Sequence, residues 1–179
     1  MDGKKIIGFH GFADASLLAL GAYVTSITPA RMEAKGGKGG KEWDDGADYE
    51  AVTKIHARSD HKGIKDITFD YVDKDGQPKN GTHGCTSGKS YILEPFEINH
   101  LDREYLLSID GYSDETSGVI QALQFKTNMK TSDLMGYYEG AVKFTIGCNG
   151  NKIIGFHGYA ENNLNSLGAY FTTLPLGCN

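Results

Sequence analysis

Twenty-one residues near the start of the chain, Lys5 to Thr25 (KIIGFHGFADASLLALGAYVT), return near its end as Lys152 to Thr172 (KIIGFHGYAENNLNSLGAYFT), and fourteen of the 21 paired positions are identical. A repeat of that quality constrains the fold more than any composition figure. Each copy must be one supersecondary unit, and the two must be units of the same kind. Nothing matching residues 35–150 precedes the first copy. The chain therefore reads as the tail of one repeat over residues 1–25 and a linker without clear periodicity over 26–32. One whole repeat follows over 33–175, with a short tail over 176–179. Two copies could claim one place in the fold. The C-terminal copy is expected to hold it, and residues 1–25 to pack loosely outside, leaving Leu17, Leu18, Leu20 and Val24 open to dimerisation or aggregation.

The whole repeat is a succession of strands. Residues 51–58, 64–72, 90–96, 104–109, 119–127, 142–146, 152–156 and 167–172 are rich in β-branched and aromatic side chains. Period-two alternation is clear in Ile67-Phe69-Tyr71, Leu123-Phe125 and Val142-Phe144-Ile146. Asp75-Gly76, Asn80-Gly81, Asp110-Gly111 and Asn149-Gly150 supply the positive φ that tight hairpins need. The 24 glycines, 10 tyrosines and 8 phenylalanines suit many short twisted strands. The best helical candidate, Ser132–Tyr138, is too short to stand. The expectation is an all-β, multi-sheet or closed antiparallel fold, with barrel, sandwich and prism left open.

Several function classes fall away. A net charge of -5 with scattered lysines argues against nucleic acid and anionic membranes. No apolar run approaches a membrane span, and the first residues lack the apolar stretch of a signal peptide. Cys85, Cys148 and Cys178 have neither metal nor CxxC spacing, and their number is odd, so reduced thiols and a cytoplasmic or nucleocytoplasmic site are expected. The sequon Asn80-Gly81-Thr82 then reads as a turn. His56 and His61 are five apart, without a companion cluster. Asp73-Lys74-Asp75-Gly76 opens like a calcium loop, but Gly84 stands where the closing glutamate belongs. Cys85 has His83 and Ser87 near it in sequence and no third group to orient a base. Asp44 and Asp45, adjacent on a strand, point to opposite faces. No enzyme, no metal and no cofactor are expected.

Four separated blocks carry a resemblance. They are Gly36-Gly37-Lys38-Gly39-Gly40-Lys41-Glu42-Trp43-Asp44-Asp45-Gly46, residues 118–128 (GVIQALQFKTN), residues 152–158 (KIIGFHG) and residues 164–168 (LNSLG). In content and order they resemble jacalin-related lectins, and their wording is most similar to the tandem-repeat, myrosinase-binding-protein-like members of cabbage-family plants. The resemblance implies a β-prism of three four-stranded Greek-key sheets, with the N- and C-terminal segments sharing one sheet. It also implies metal-independent binding of mannose- or glucose-type sugars on glycans or glycoproteins. The alternative it offers is a protein-interaction module within a thioglucosidase complex.

The same resemblance places the site. Family members use an early glycine, here Gly40, and a Gly-x-x-x-Asp loop, which corresponds to Glu161, Asn162, Asn163, Leu164 and Asn165. Glu161 replaces the glycine and Asn165 the aspartate. An amide offers one acceptor oxygen where a carboxylate offers two charged ones. Binding is therefore expected to be weak, and Asn165→Asp to strengthen it. The first copy has Asp14 and Leu18 at these places, so no site is assigned to it. The middle loop, Tyr112-Ser113-Asp114-Glu115-Thr116-Ser117, is expected to form the third wall of the site, with Tyr112 stacked on a sugar face.

Overall fold

The computed structural model describes residues 4–26, 28–147 and 150–172. Apart from one short 3₁₀ turn at His100–Asp102, every regular element among them is a strand. Strands β1 (Lys4–Ala13) and β2 (Leu17–Ser26) form a separate two-stranded hairpin. Strands β3 (Ala30–Gly36) and β4 (Lys41–Asp44) lie on the two edges of a sheet whose centre is β14 (Ile153–Ala160) and β15 (Leu164–Phe171), in the order β3-β15-β14-β4. A second sheet holds β5 (Tyr49–Ser59), β6 (Ile64–Asp73) and β7 (Pro78–Gly84). Its far edge is shared by the short β8 (Tyr91–Ile92) and β9 (Phe96–Glu97), both paired to β5. The third sheet runs β12 (Met135–Gly136), β11 (Ile120–Thr127), β10 (Leu106–Ser113), β13 (Val142–Gly147).

All three sheets share one Greek-key plan, a central hairpin with the next strand beside its second member and the fourth beside its first. In the sheet of the chain ends the central hairpin is β14–β15, and the flanking strands β3 and β4 come from the other end of the chain. The inner faces meet in a single core. Ile55, Ile67 and Phe69 from the second sheet, Ile109, Leu123 and Phe125 from the third, and Phe156, Leu164 and Leu167 from the first are all fully buried. Phe69 and Phe156 stack with ring centroids 3.9 Å apart. Each such side chain contributes about 1.5–3 kcal/mol by leaving water. No helix of the described residues is long and apolar enough to cross a membrane.

The differences from the sequence reading have local causes. Asp75-Gly76 does make the β6–β7 turn, with Gly76 at φ +75° and the Asp73 carboxylate accepting from the Asp75 and Gln77 N–H groups. Asn80-Gly81 and Asp110-Gly111 instead lie inside β7 and β10. Their glycines serve close approach: a Cβ at Gly81 would collide with the Asp45 carboxylate, and one at Gly111 with the Phe144 ring. Asn149 lies outside the described residues. Residues 90–96 form two short strands rather than one, and Ser132–Tyr138 contributes β12. The segment read as linker is shorter than expected, since β3 begins at Ala30 and pairs with β15.

The hairpin β1–β2 repeats its twin's backbone. It carries register shifts between Ile6 and Gly8 and between Phe12 and Ala13. β14–β15 has them at the equivalent places, Ile153/Gly155 and Tyr159/Ala160. Its apolar residues Ile6, Phe9, Leu17, Leu20 and Val24 are exposed.

Candidate functional site

Loops from all three sheets meet around a cleft of about 530 Å³. The β3–β4 connection brings Gly39 and Gly40, the β14–β15 loop brings Glu161, Asn162 and Asn163, and the start of β15 brings Asn165. His61 and Lys62 come from the β5–β6 loop, Asp114 and Ser117 from the β10–β11 loop. Gly40 sits at φ +82°, and a Cβ there would stand 2.6 Å from the Ala160 carbonyl oxygen and 2.8 Å from Glu161 Cβ. Only glycine fits that place. The neighbouring backbone is equally crowded. The Gly37 N–H donates to the carbonyls of both Gly118 (3.0 Å) and Asn165 (2.8 Å), tying three loops together.

Asn165 holds the cleft's most consequential amide. Its neighbours assign the amide orientation: two carbonyls, of Asn163 at 3.0 Å and Gly39 at 3.2 Å, face one side-chain atom, which must therefore be the nitrogen that donates to them. Both side-chain donors are thus spent on the protein, and the side-chain oxygen remains as the acceptor. A carboxylate here would set oxygen against two carbonyl oxygens, so the expectation that Asn165→Asp strengthens binding reverses. Asn163 is buried and its amide donates to Asp60 Oδ1 at 3.0 Å. Burial works to raise the Asp60 pKa, but hydrogen bonds from the Lys62 N–H, Asn163 and the Gly63 N–H outweigh it and hold it below its usual value. The Ser117 N–H and hydroxyl, each 2.7 Å from Asp114 Oδ1, depress the Asp114 pKa likewise. The cleft is walled by fixed carboxylates and amides.

Five of the expected site residues line it: Gly40, Glu161, Asn162, Asn163 and Asn165. Two do not. Leu164 is fully buried in the core, so only its backbone stands near the loop. Tyr112 lies within β10, paired with Lys143 and stacked on Tyr138 at 3.7 Å with an interplanar angle of 4°, and does not line the cleft. Asp114 and Ser117 belong to the 112–117 loop expected as the third wall, whereas His61 and Lys62 were missed. One signal could have found them: each central hairpin loop opens with an acidic residue, Asp60, Asp114 or Glu161. Elsewhere, His56 contacts Asp70 rather than His61. His83 turns from Cys85 to Asp45, 2.8 Å away, so the thiol has no base.

The sequence profile of the jacalin-like lectin domain matches residues 32–170. The chain belongs to that family. Jacalin-related lectin 13 of Arabidopsis thaliana is 82% identical over 177 residues, covering 98% of this chain and 37% of its own length. Jacalin-related lectin 12 of the same plant is 63% identical, covering 97% of this chain and 38% of its own length. The chain thus spans little more than a third of these relatives. Among solved structures, Malaysian banana lectin superposes with a TM-score of 0.69 at 26% identity, covering 82% of this chain and 100% of its own. A mannose-specific jacalin-related lectin from Morus nigra, in complex with mannose, gives 0.69 at 27% identity, covering 81% and 95%. The three sheets of this jacalin domain are therefore those of a β-prism. Lectin is the description that the matching family carries.

Proposed function

We infer that this jacalin domain binds mannose- or glucose-type sugars weakly, without a metal, in the cleft between Gly39-Gly40 and the Glu161–Asn165 loop. One observation carries the reading. With its nitrogen turned to the Asn163 and Gly39 carbonyls, the Asn165 amide leaves its oxygen as an acceptor beside the exposed backbone of Gly40. Sugar hydroxyls both donate and accept, so an oxygen acceptor next to open main chain suits a hydroxyl pair. A neutral amide forms hydrogen bonds about half as strong as a charge-assisted pair, which makes the affinity low. The mannose-specific neighbour from Morus nigra supports the choice of sugar. The free Cys85 supports a nucleocytoplasmic setting.

NMR titration with methyl α-mannoside, in the presence and absence of EDTA, tests it. Shifts should gather at Gly39, Gly40 and residues 161–165 in the millimolar range, identical with and without the chelator. Silence of these amides at high millimolar sugar sinks the reading. Capture from plant extract that survives enzymatic removal of glycans would move the function to a protein-interaction module of the myrosinase-binding type.

A further inference from the structure

The sheet of the chain ends has an unusual supply of strands. In the other two sheets the central hairpin directly precedes its flanking strands, as β5–β6 precedes β7 and β10–β11 precedes β12. Ahead of β3 and β4 the chain also carries a hairpin, β1–β2, yet the hairpin seated between them is β14–β15. We propose that β1–β2 is a second occupant of that slot, able to enter between β3 and β4 of the same chain, and that the prism so closed lacks the sugar-binding loop.

The fit can be checked residue by residue. The seated hairpin presents Ile153, Phe156, Leu164 and Leu167 to the core, and the twin presents Ile6, Phe9, Leu17 and Leu20. On the outer face, His157 meets the Met32 carbonyl (2.9 Å) and Arg31 (3.1 Å), while the Tyr170 hydroxyl donates to Asp44 at 2.6 Å. His10 and Tyr23 stand at the same two places. A Cβ at Gly155 would collide with the Gly46 carbonyl, so the slot demands glycine there. The twin has Gly8, which in its present place would make only an ordinary 3.5 Å contact with Tyr23. The connection also closes. Phe171 pairs with Ala30 and Tyr170 with Arg31. By the same register Val24 would face Ala30, leaving residues 25–29 as a hairpin loop of ordinary length.

What the copies do not share falls mainly on the site. Of the seven differing positions, four line the cleft, Asp14, Ala15, Ser16 and Leu18 against Glu161, Asn162, Asn163 and Asn165; the others are Phe12, Ala19 and Val24 against Tyr159, Ser166 and the buried Phe171. Seating the twin would remove the Asn163–Asp60 bond, the Asn165 bridge to Gly39 and the hydrogen bond from the Tyr159 N–H to the Ser166 hydroxyl. These losses explain why β14–β15 holds the slot. They also put Leu18, which cannot accept a hydrogen bond, at the acceptor position. This last consequence rests on the sugar-binding reading; the exchange itself does not.

The test uses the full chain with Phe9→Asp, Phe156→Asp and both together. Phe9→Asp should leave the melting transition and the sugar-induced shifts unchanged. Phe156→Asp should melt cooperatively at a lower temperature, show a cross-strand nuclear Overhauser contact between Tyr23 and Arg31, and lose the mannoside response at Gly40. The double variant should show no cooperative transition. A second set, Gly8→Val and Gly155→Val, should behave in parallel. If Phe156→Asp and Gly155→Val each unfold as completely as their doubles, the hairpin cannot serve the slot and the proposal fails. Exchange seen by the nuclear Overhauser contact in a chain that never answered mannoside would sink the sugar reading alone.

Discussion

The two copies of the hairpin, alike in sequence and register, live in opposite environments. Phe156 is 0% exposed and Phe9 66%; Leu167 is 0% and Leu20 64%. Local sequence is enough to set the hairpin, its pairing and its two bulges. It is not enough to bury it. Burial comes from the frame: β3 and β4 at the edges, and Phe69 and its neighbours beneath. What raises a strand pair from marginal to stable is the third and fourth strand and a face to pack on. The copies also separate the tasks of one segment. Most positions that meet the frame are shared, the buried Phe171 against Val24 being the main exception, whereas the cleft positions 161–163 and 165 have all diverged.

The comparison can be broken most forcefully at its aromatic anchor. Phe9→Ala together with Phe156→Ala should cost about 3–5 kcal/mol in chemical denaturation, the usual range for a truncated core phenylalanine. Phe156→Ala alone should cost less, because Phe9 can replace it, and Phe9→Ala alone should fall within about 0.5 kcal/mol of the parent. A Phe156→Ala cost equal to that of the pair would show the copies to be independent. Next in size is Gly40→Ala, which forces a Cβ against the Ala160 carbonyl at positive φ. A loss of about 1–3 kcal/mol is expected, with the mannoside response gone. Asn165→Asp should follow at about 1–2 kcal/mol, since it exchanges two donated bonds for repulsion. It should also weaken sugar binding in calorimetry; tighter binding would mean that the loop rearranges around a carboxylate.

The smallest effect is one of pH. Burial lowers the His157 pKa, opposed by the Met32 carbonyl and reinforced by the Arg31 charge. A folded pKa below the unfolded one means that the neutral ring's contribution is complete above about pH 6.5 and is lost as pH falls through the lower folded value. Prism stability should therefore slope downward below that point. His157→Gln, which keeps one donor and one acceptor, should flatten the slope in denaturation curves taken from pH 7 to 5. An unchanged slope would place the titrating group elsewhere.

Most strands were legible because their alternation is imposed by a one-sided core, as in Ile67-Phe69-Tyr71. The polar edge strands β4 and β7 were not, since an edge carries no burial pattern to read. Gly81 and Gly111 misled because a glycine that admits a neighbour's side chain looks, in sequence, like a glycine that turns the chain. The site was half legible. Gly40, the 161–165 loop and the 112–117 wall follow from one stretch each, but His61 and Lys62 reach the cleft only through the threefold arrangement of sheets. Tyr112 shows the converse: a residue expected in the loop lies inside strand β10. Asn165 was expected as an acceptor, but the orientation of its amide was not legible, because which atom faces Gly39 is decided by a loop 126 residues away.

The chain has a single tryptophan, Trp43, on β4. Its indole lies flat on the His83 imidazole, ring centroids 3.6 Å apart at 9°, and β4 pairs it with Gly158 of the seated hairpin. Neither twin carries an indole, yet the only one in the protein touches the slot for which the two compete. Its emission is thus a built-in optical gauge, blind to β1–β2 while that hairpin stands apart and sensitive to whichever hairpin lies against β4.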